Sequence, residues 1–131
     1  MMSSGSSIRA RQMTGSNVAA MIKVQSRPTI EHNPQGGWQL VFSVGETFDY
    51  STPFRGMLAN IANVLSQEVP TSMELPTYED REDFVEGTLQ FGRETIRTYY
   101  EHSLSYLALM SDSANALRKI ADRLEPHVTV A

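Results

Sequence analysis

The chain has 131 residues and a formal net charge of −4, because 15 Asp and Glu residues outnumber 11 Lys and Arg residues. This length suits one domain, and the acidic excess argues against a general nucleic-acid-binding surface, since affinity for phosphate backbones comes from clustered Lys and Arg. The chain contains no cysteine, which excludes disulfides, thiolate metal sites and cysteine nucleophiles.

The N-terminal region differs in composition from the rest of the chain. Residues 1–19 are rich in Ser and Gly and show no apolar period, which predicts a flexible N-terminal arm followed by a single domain over residues 20–131. This arm lacks the apolar run of a signal peptide, and no stretch is apolar enough to span a membrane. We therefore expect a soluble, cytoplasmic protein.

A three-stranded antiparallel meander is predicted from the alternation of apolar and polar residues. Ile22 and Val24 indicate the first strand, and residues 38–44 form the clearest strand pattern in the chain. A two-residue hairpin turn at residues 44–47 would lead into a third strand that includes Tyr50.

An amphipathic helix is predicted directly after the meander and should cover its apolar face. Ser51 or Thr52 can cap this helix, and Pro53 suits its first turn. Its apolar stripe at helical spacing consists of Phe54, Met57, Leu58, Ile61, Val64 and Leu65.

A long C-terminal helix is predicted over residues 78–124. Thr77 suits an N-cap, and no proline occurs between Pro76 and Pro126. An apolar heptad phase runs through the segment and continues across Ser111, so one helix of about 45 residues is favoured over two, with a kink near Ser111 left open. Gly87 and Gly92 are interpreted as sites of close packing or of a local bend. The predicted fold class is therefore α+β.

The long helix predicts self-association. At 1.5 Å per residue it would extend roughly 65–70 Å, so its apolar row would need a partner. We expect a homo-oligomer, most simply a coiled-coil dimer. The predicted seam is Ile96, Tyr100, Leu107, Met110, Leu117 and Leu124, with Tyr99, Arg93 and Arg97 at its rim. Tyr99, Tyr100 and Tyr106 are interpreted as interface packing rather than as a ligand cage.

Motifs for catalysis and for phosphate or metal binding are not found in the sequence. His32 is interpreted as a loop residue, His102 as a surface or interface residue, and His127 as a residue at a helix end. We predict no catalytic, cofactor-binding or metal-binding residues, and we do not expect an enzyme.

Two functional hypotheses follow. The first is a small non-enzymatic protein-interaction module, of an accessory, regulatory or inhibitor type, that acts as a homo-oligomer through its long helix and also engages another protein. The alternative is a nucleotide- or nucleic-acid-binding sensor that uses a cleft between the sheet and the helices. Its candidate ligand-binding residues are Arg27, Trp38, Arg55 and Arg93.

Overall fold

The structure is a computed structural model that describes residues 22–45, 50 and 52–130. Within these residues the chain forms eight strands and two α-helices, and a short 3-10 turn, Glu125–His127, precedes the last strand. The elements are β1 (Ile22–Val24), β2 (Thr29–His32), β3 (Trp38–Ser43), α1 (Phe54–Ser66), β4 (Thr71–Glu74), β5 (Phe84–Phe91), β6 (Glu94–Glu101), β7 (Tyr106–Ser111), α2 (Ala114–Leu124) and β8 (Val128–Val130).

Six of the strands form one antiparallel sheet, in the spatial order β2-β3-β7-β6-β5-β4. Strands β5, β6 and β7 follow one another as hairpins in its centre, and β3 pairs with β7. Strands β1 and β8 form a separate parallel pair. The sheet is therefore assembled from both halves of the chain.

The core lies on one face of the six-stranded sheet. The cross-strand row Phe42, Leu107, Tyr100 and Val85 is buried, as expected where the period-two alternation of four adjacent strands is in register. Both helices cover this face with their apolar sides. The buried helical residues are Phe54, Met57, Leu58, Ile61, Val64 and Leu65 of α1 and Ala116, Leu117, Ile120 and Leu124 of α2.

Helix α1 confirms the helix that the sequence predicts after the meander, and its buried residues are the six of the predicted stripe. Its N-cap position is Pro53, which makes no side-chain cap bond, where the sequence predicts Ser51 or Thr52 as the cap. Helix α2 is capped by Ser113, whose Oγ accepts a hydrogen bond from the Ala116 amide at 3.1 Å. The Ser-rich segment around Ser111 thus starts a helix.

The prediction of a long C-terminal helix is wrong. Residues 84–111 form three strands, and α2 contains only 11 residues. Gly92 has a φ of +60° and begins the two-residue turn between β5 and β6, a conformation that glycine adopts without strain. The molecule is mostly β, so the predicted fold class, the kinked long helix and the coiled coil are all incorrect.

The strand predictions near the N-terminus have mixed outcomes. Strands at Ile22–Val24 and at Trp38–Ser43 are confirmed. The predicted meander is wrong, because β3 pairs with β2 and β7 and β1 pairs with β8. The predicted arm, the second half of the predicted turn and most of the third strand lie outside the described residues. Neither helix in the described part of the chain is long and apolar enough to cross a membrane.

Candidate functional site

The sheet face opposite the two helices, called the open face below, is the first candidate site. The strand registers place its residues in three cross-strand rows. In the order β3, β7, β6, β5 these rows are Gln39, Met110, Arg97 and Thr88; Val41, Ala108, Tyr99 and Glu86; and Ser43, Tyr106, Glu101 and Phe84. Both helices pack on the other side, so neither covers the side chains of these rows.

Three aromatic rings stand together on the open face. The Tyr99 ring lies 6.2 Å from the Phe84 ring and 5.7 Å from the Tyr106 ring, centroid to centroid. Phe84 is 61% exposed, and the two tyrosines are half-buried. Aromatic side chains bury a large area when a partner covers them, so this trio is the most prominent apolar feature of the open face.

Glu101 lies at the edge of the aromatic trio. The Tyr99 hydroxyl donates to Glu101 Oε1 at 2.5 Å, and the Ser103 hydroxyl donates to Glu101 Oε2 at 2.7 Å. Burial, and then the Glu101 carboxylate, raises the pKa of Tyr99 well above its ordinary value, and burial with Glu101 also raises the pKa of Tyr106. Both hydroxyls therefore stay protonated near neutral pH, and Tyr99 holds the Glu101 carboxylate in a fixed orientation.

The charge of the open face is acidic. Glu86 and Glu101 lie in the rows described above, and the register adds Glu31 of β2 and Glu74 of β4 on the same side. Arg97 is the cation in these rows. Within the described part of the chain, none of the four carboxylates forms an ion pair. The face thus combines an aromatic cluster with carboxylates that no described residue pairs with in a salt bridge.

A cavity at the N-terminal end of α1, called the end cavity below, is the second candidate site. Its volume is about 500 Å³. It is lined mainly by rings and by charged side chains, among them Tyr50, Phe54, Arg55, Tyr78, Tyr100 and His102. Tyr50 and Tyr78 are more than half exposed and form its rim.

One wall of the end cavity is held by a hydrogen-bond network around Glu82. Arg55 donates from Nε and Nη2 to the two oxygens of Glu82, each at 3.0 Å, and from Nη1 to the Pro76 carbonyl at 2.8 Å. The Tyr100 hydroxyl donates to Glu82 Oε2 at 2.5 Å. The bidentate bond from Arg55 lowers the pKa of Glu82 and raises the pKa of Arg55. This network joins the loop 75–83 to α1 and to β6.

His102 lies against the aromatic side of the end cavity. Its ring meets Phe54 edge-on at 4.9 Å and is stacked with Tyr50 at 5.5 Å. It is only 6% exposed, so its interpretation as a surface residue is wrong. His32 is exposed and stacks on Trp38 at 4.0 Å. Among the described residues, no group of three or more His, Asp or Glu side chains is placed to hold a metal ion.

The predicted interface residues fall into two groups in the fold. Five of them lie in the core, where a partner cannot reach them: Ile96, Tyr100, Leu107, Leu117 and Leu124. Tyr99, Met110 and Arg97 lie together on the open face, where Arg97 is opposite Met110 in the register. Arg93 is exposed in the turn between β5 and β6.

The four alternative ligand-binding residues do not meet at one site. Arg27 lies 3.6 Å from Glu125, Arg55 lines the end cavity, and Trp38 stacks on His32. Arg93 lines a different depression, beside Lys119 of α2. Of the four, Arg55 alone lies in the end cavity.

Sequence reasoning missed Phe84 and Glu86 as open-face residues. The signal was present, since Phe84, Glu86, Thr88 and Gln90 alternate with the more buried residues of β5. From the sequence, these residues are instead predicted to lie in the long helix over residues 78–124.

Comparison of the chain with protein-family models, curated proteins and solved structures finds no match.

Proposed function

We propose that the protein is a non-enzymatic interaction module that binds a second protein through its open face. The observation that carries this proposal is the aromatic trio of exposed Phe84 and half-buried Tyr99 and Tyr106 on a sheet face that neither helix covers. Such a protein acts by occupying or recruiting its partner, as accessory and inhibitor proteins do.

The composition of the open face supports a protein partner. Tyr and Phe are enriched in the buried centres of protein interfaces, because they contribute large rigid contact areas. Polar side chains flank the trio, with Glu86 opposite Tyr99 and Ser43 opposite Tyr106, and they suit the solvent-accessible rim of an interface. Side chains on adjacent strands hold one another in place, so binding orders few additional groups.

The charge of the open face favours a different protein over a second copy. Pairing two copies face to face would bring together two surfaces that each carry four carboxylates and one arginine. Like charges that meet in an interface are unfavourable, so the acidic charge disfavours a second copy. It weakens binding much less for a different protein that does not carry the same charge. The acidic charge likewise argues against a phosphate backbone on this face.

Site-specific photo-crosslinking in the cells that produce the protein tests this proposal. A photoreactive residue at Thr88, which is exposed on the open face, should form a covalent adduct with one partner of defined mass. The matched position is Lys119, which is exposed on α2 on the helical side, and it should form none. Adducts of equal yield from both positions, or no adduct from Thr88, would contradict the proposal.

A nucleotide sensor that uses the end cavity is the second candidate function. Its supporting observation is a cavity of about 500 Å³ that is lined by aromatic side chains and by two arginines, Arg55 and Arg81. Small-molecule sites are commonly concave, lined by aromatic side chains and of this size. Two carboxylates, Asp80 and Glu82, offset these cations, so the cavity suits a base ring better than a phosphate group.

Thermal unfolding in the presence of purine and pyrimidine nucleosides and their phosphates tests the sensor. A nucleoside that stabilises the wild-type protein but not a Tyr78→Ala variant would support it, because Tyr78 is 60% exposed at the rim and its removal should not harm the fold. An unchanged melting temperature with every compound would exclude it.

A further inference from the structure

We infer that one cluster on the open face, called the aromatic corner below, forms a binding site, or seat, for an arginine side chain from a basic segment of the partner. The aromatic corner consists of Phe84, Tyr99, Glu101 and Tyr106. This inference rests on the proposed function and adds the chemistry of the partner to it. The occupant is an exposed, arginine-containing peptide segment of another protein.

The register brings the aromatic corner together from three strands. Phe84 of β5 lies opposite Glu101 of β6, and Glu101 lies opposite Tyr106 of β7. Tyr99 precedes Glu101 by two residues and shares its side of the sheet. Directly opposed side chains have Cβ atoms about 4.5–5.5 Å apart, so one incoming side chain can reach the rings and the carboxylate together.

The carboxylate of Glu101 keeps capacity for a further donor. Each of its oxygens accepts one hydrogen bond inside the chain, from Tyr99 or from Ser103. A carboxylate oxygen can accept two hydrogen bonds, so both oxygens can still receive N–H groups from outside. Because Tyr99 and Ser103 already orient the group, a partner cation meets an acceptor whose side-chain entropy is already lost.

The rings select arginine over lysine. A guanidinium can stack flat on a tyrosine or phenylalanine ring while two of its N–H groups point to one carboxylate. An ammonium is a compact, strongly hydrated charge and cannot do both in the same way. Phe84 exposes a wide ring surface next to Glu101, which is the arrangement that a stacked guanidinium needs.

Charge complementarity extends the seat to a basic segment. Glu86 lies opposite Tyr99, so a second carboxylate flanks the corner, and Glu31 and Glu74 add negative charge at the two edges of the same face. Arg97 reduces this charge without removing it. A partner segment with several cations is attracted to the whole face, and its arginine is seated at the corner.

Fluorescence anisotropy with labelled hexa-arginine and hexa-lysine peptides and the full chain tests the inference. Hexa-arginine should bind more tightly than hexa-lysine, and its affinity should fall as salt is raised. A Glu86→Gln/Glu101→Gln variant should bind hexa-arginine roughly three- to tenfold more weakly, because exposed ion pairs contribute modestly. The amide oxygen of Gln can still accept from Tyr99, and its amide nitrogen can donate to the Ser103 hydroxyl, which can donate to Asp83 Oδ2 at 3.2 Å, so this variant should remain folded.

Two further variants separate charge from ring stacking. The matched control Glu79→Gln/Asp122→Asn removes two exposed carboxylates outside the open face and should change the affinity less than twofold. Phe84→Leu removes a ring from an exposed position and should abolish the preference for arginine over lysine. Equal hexa-arginine affinity in the wild type and the Glu86→Gln/Glu101→Gln variant, or no binding at millimolar peptide, would overturn the inference.

Other occupants give distinct results. The N-terminal segment of this chain contains Arg9 and Arg11, and if it filled the corner, an Arg9→Gln/Arg11→Gln variant would bind hexa-arginine several-fold more tightly. A dimer in light scattering that the Glu86→Gln/Glu101→Gln variant dissociates would identify a second copy. Either result would overturn the inference. Crosslinks from Thr88 without hexa-arginine binding would reject the arginine seat and keep the interaction module, whereas hexa-arginine binding without crosslinks would reject the module.

Discussion

Glu82 is the single carboxylate on which the loop 75–83 and the start of α1 both depend. Its side chain is only 9% exposed, and it accepts hydrogen bonds from Arg55 and Tyr100. Removing the charge leaves the donor groups of Arg55 and Tyr100 with a weaker acceptor, and hydrogen bonds to charged groups contribute more than neutral ones. The loop that forms one wall of the end cavity should therefore be held less firmly without Glu82.

At pH 7, the free energy of unfolding of the Glu82→Gln variant should be about 2 kcal/mol lower than that of the wild type. The pKa of Glu82 is lowered from its ordinary value of 4.5, so this stabilisation is complete above about pH 4.5 and is lost as the pH falls through the lowered pKa. Urea unfolding between pH 7 and pH 3 measures the difference. With Glu79→Gln as the control, a difference that stays constant down to pH 3 would contradict this role.

Two glycines should respond oppositely to the same added methyl group. A Cβ at Gly87 would lie 2.5 Å from Leu75 Cδ2 and 2.6 Å from the Glu74 carbonyl oxygen, so the backbone of β4 would have to move. A Cβ at Gly56 in α1 would meet its nearest neighbour, Pro53 Cβ, at 4.0 Å. Gly87→Ala should lower the free energy of unfolding by about 1–3 kcal/mol. Gly56→Ala should raise it by roughly 0.5–1 kcal/mol, because alanine favours a helix more than glycine does. Thermal unfolding of both variants checks the signs, and a stabilised Gly87→Ala would disprove the close packing.

At the scale of an element, β7 presents its two sides to different environments. Leu107 is fully buried under the helices, and Met110 is half-buried on the open face opposite Arg97. An aspartate at position 107 would bury an unpaired charge, but an aspartate at position 110 could face water and Arg97. The two positions therefore test which side of the strand is the core.

Leu107→Asp should lower the free energy of unfolding by more than about 4 kcal/mol and so unfold the protein. Met110→Asp should lower it by less than about 1 kcal/mol. Circular dichroism and light scattering distinguish unfolding from dissociation. If Leu107→Asp instead gave a folded chain of smaller assembled mass, Leu107 would belong to an interface between chains.

Local sequence signals predicted α1 well because they are complete within one segment. Pro53 precedes six apolar residues at helical spacing, and the next proline is Pro70. Strands β5 to β7 were not predicted, since Leu89, Ile96 and Leu107 fit a heptad as well as they fit the alternation of separate strands. Their pairing is decided by contacts between distant parts of the chain, such as β3 with β7, which no local window contains.

The candidate site was predicted only in part, for the same reason. Tyr99, Met110 and Arg97 lie on the open face, but the sequence predicted them on one long helix. Phe84 is 15 residues from Tyr99 along the chain and becomes its neighbour only through the β5–β6 hairpin. Gly92 marked that hairpin in the sequence, where it was interpreted as a close contact or a local bend.

At the scale of the whole molecule, the described residues bury one core within a single chain. Residues from β1, β3, both helices and the central strands form one buried cluster, which includes most of the predicted seam. Folding should therefore be unimolecular, and the melting temperature should not depend on protein concentration over a hundredfold range. Differential scanning calorimetry at the two extremes checks this. A melting temperature that rises with concentration would indicate that assembly contributes to stability.

The parallel pair of β1 and β8 gives the molecule a particular response to tension. Ile22 aligns with Val128 and Val24 with Val130, so the chain enters β1 at one end of the ladder and leaves β8 at the other. Force applied through the two ends of the chain would load the hydrogen bonds of this ladder in shear, together rather than one after another. Because Ile22 and Val24 are also fully buried, the pair would act as a mechanical clamp that must rupture before the larger sheet is pulled apart.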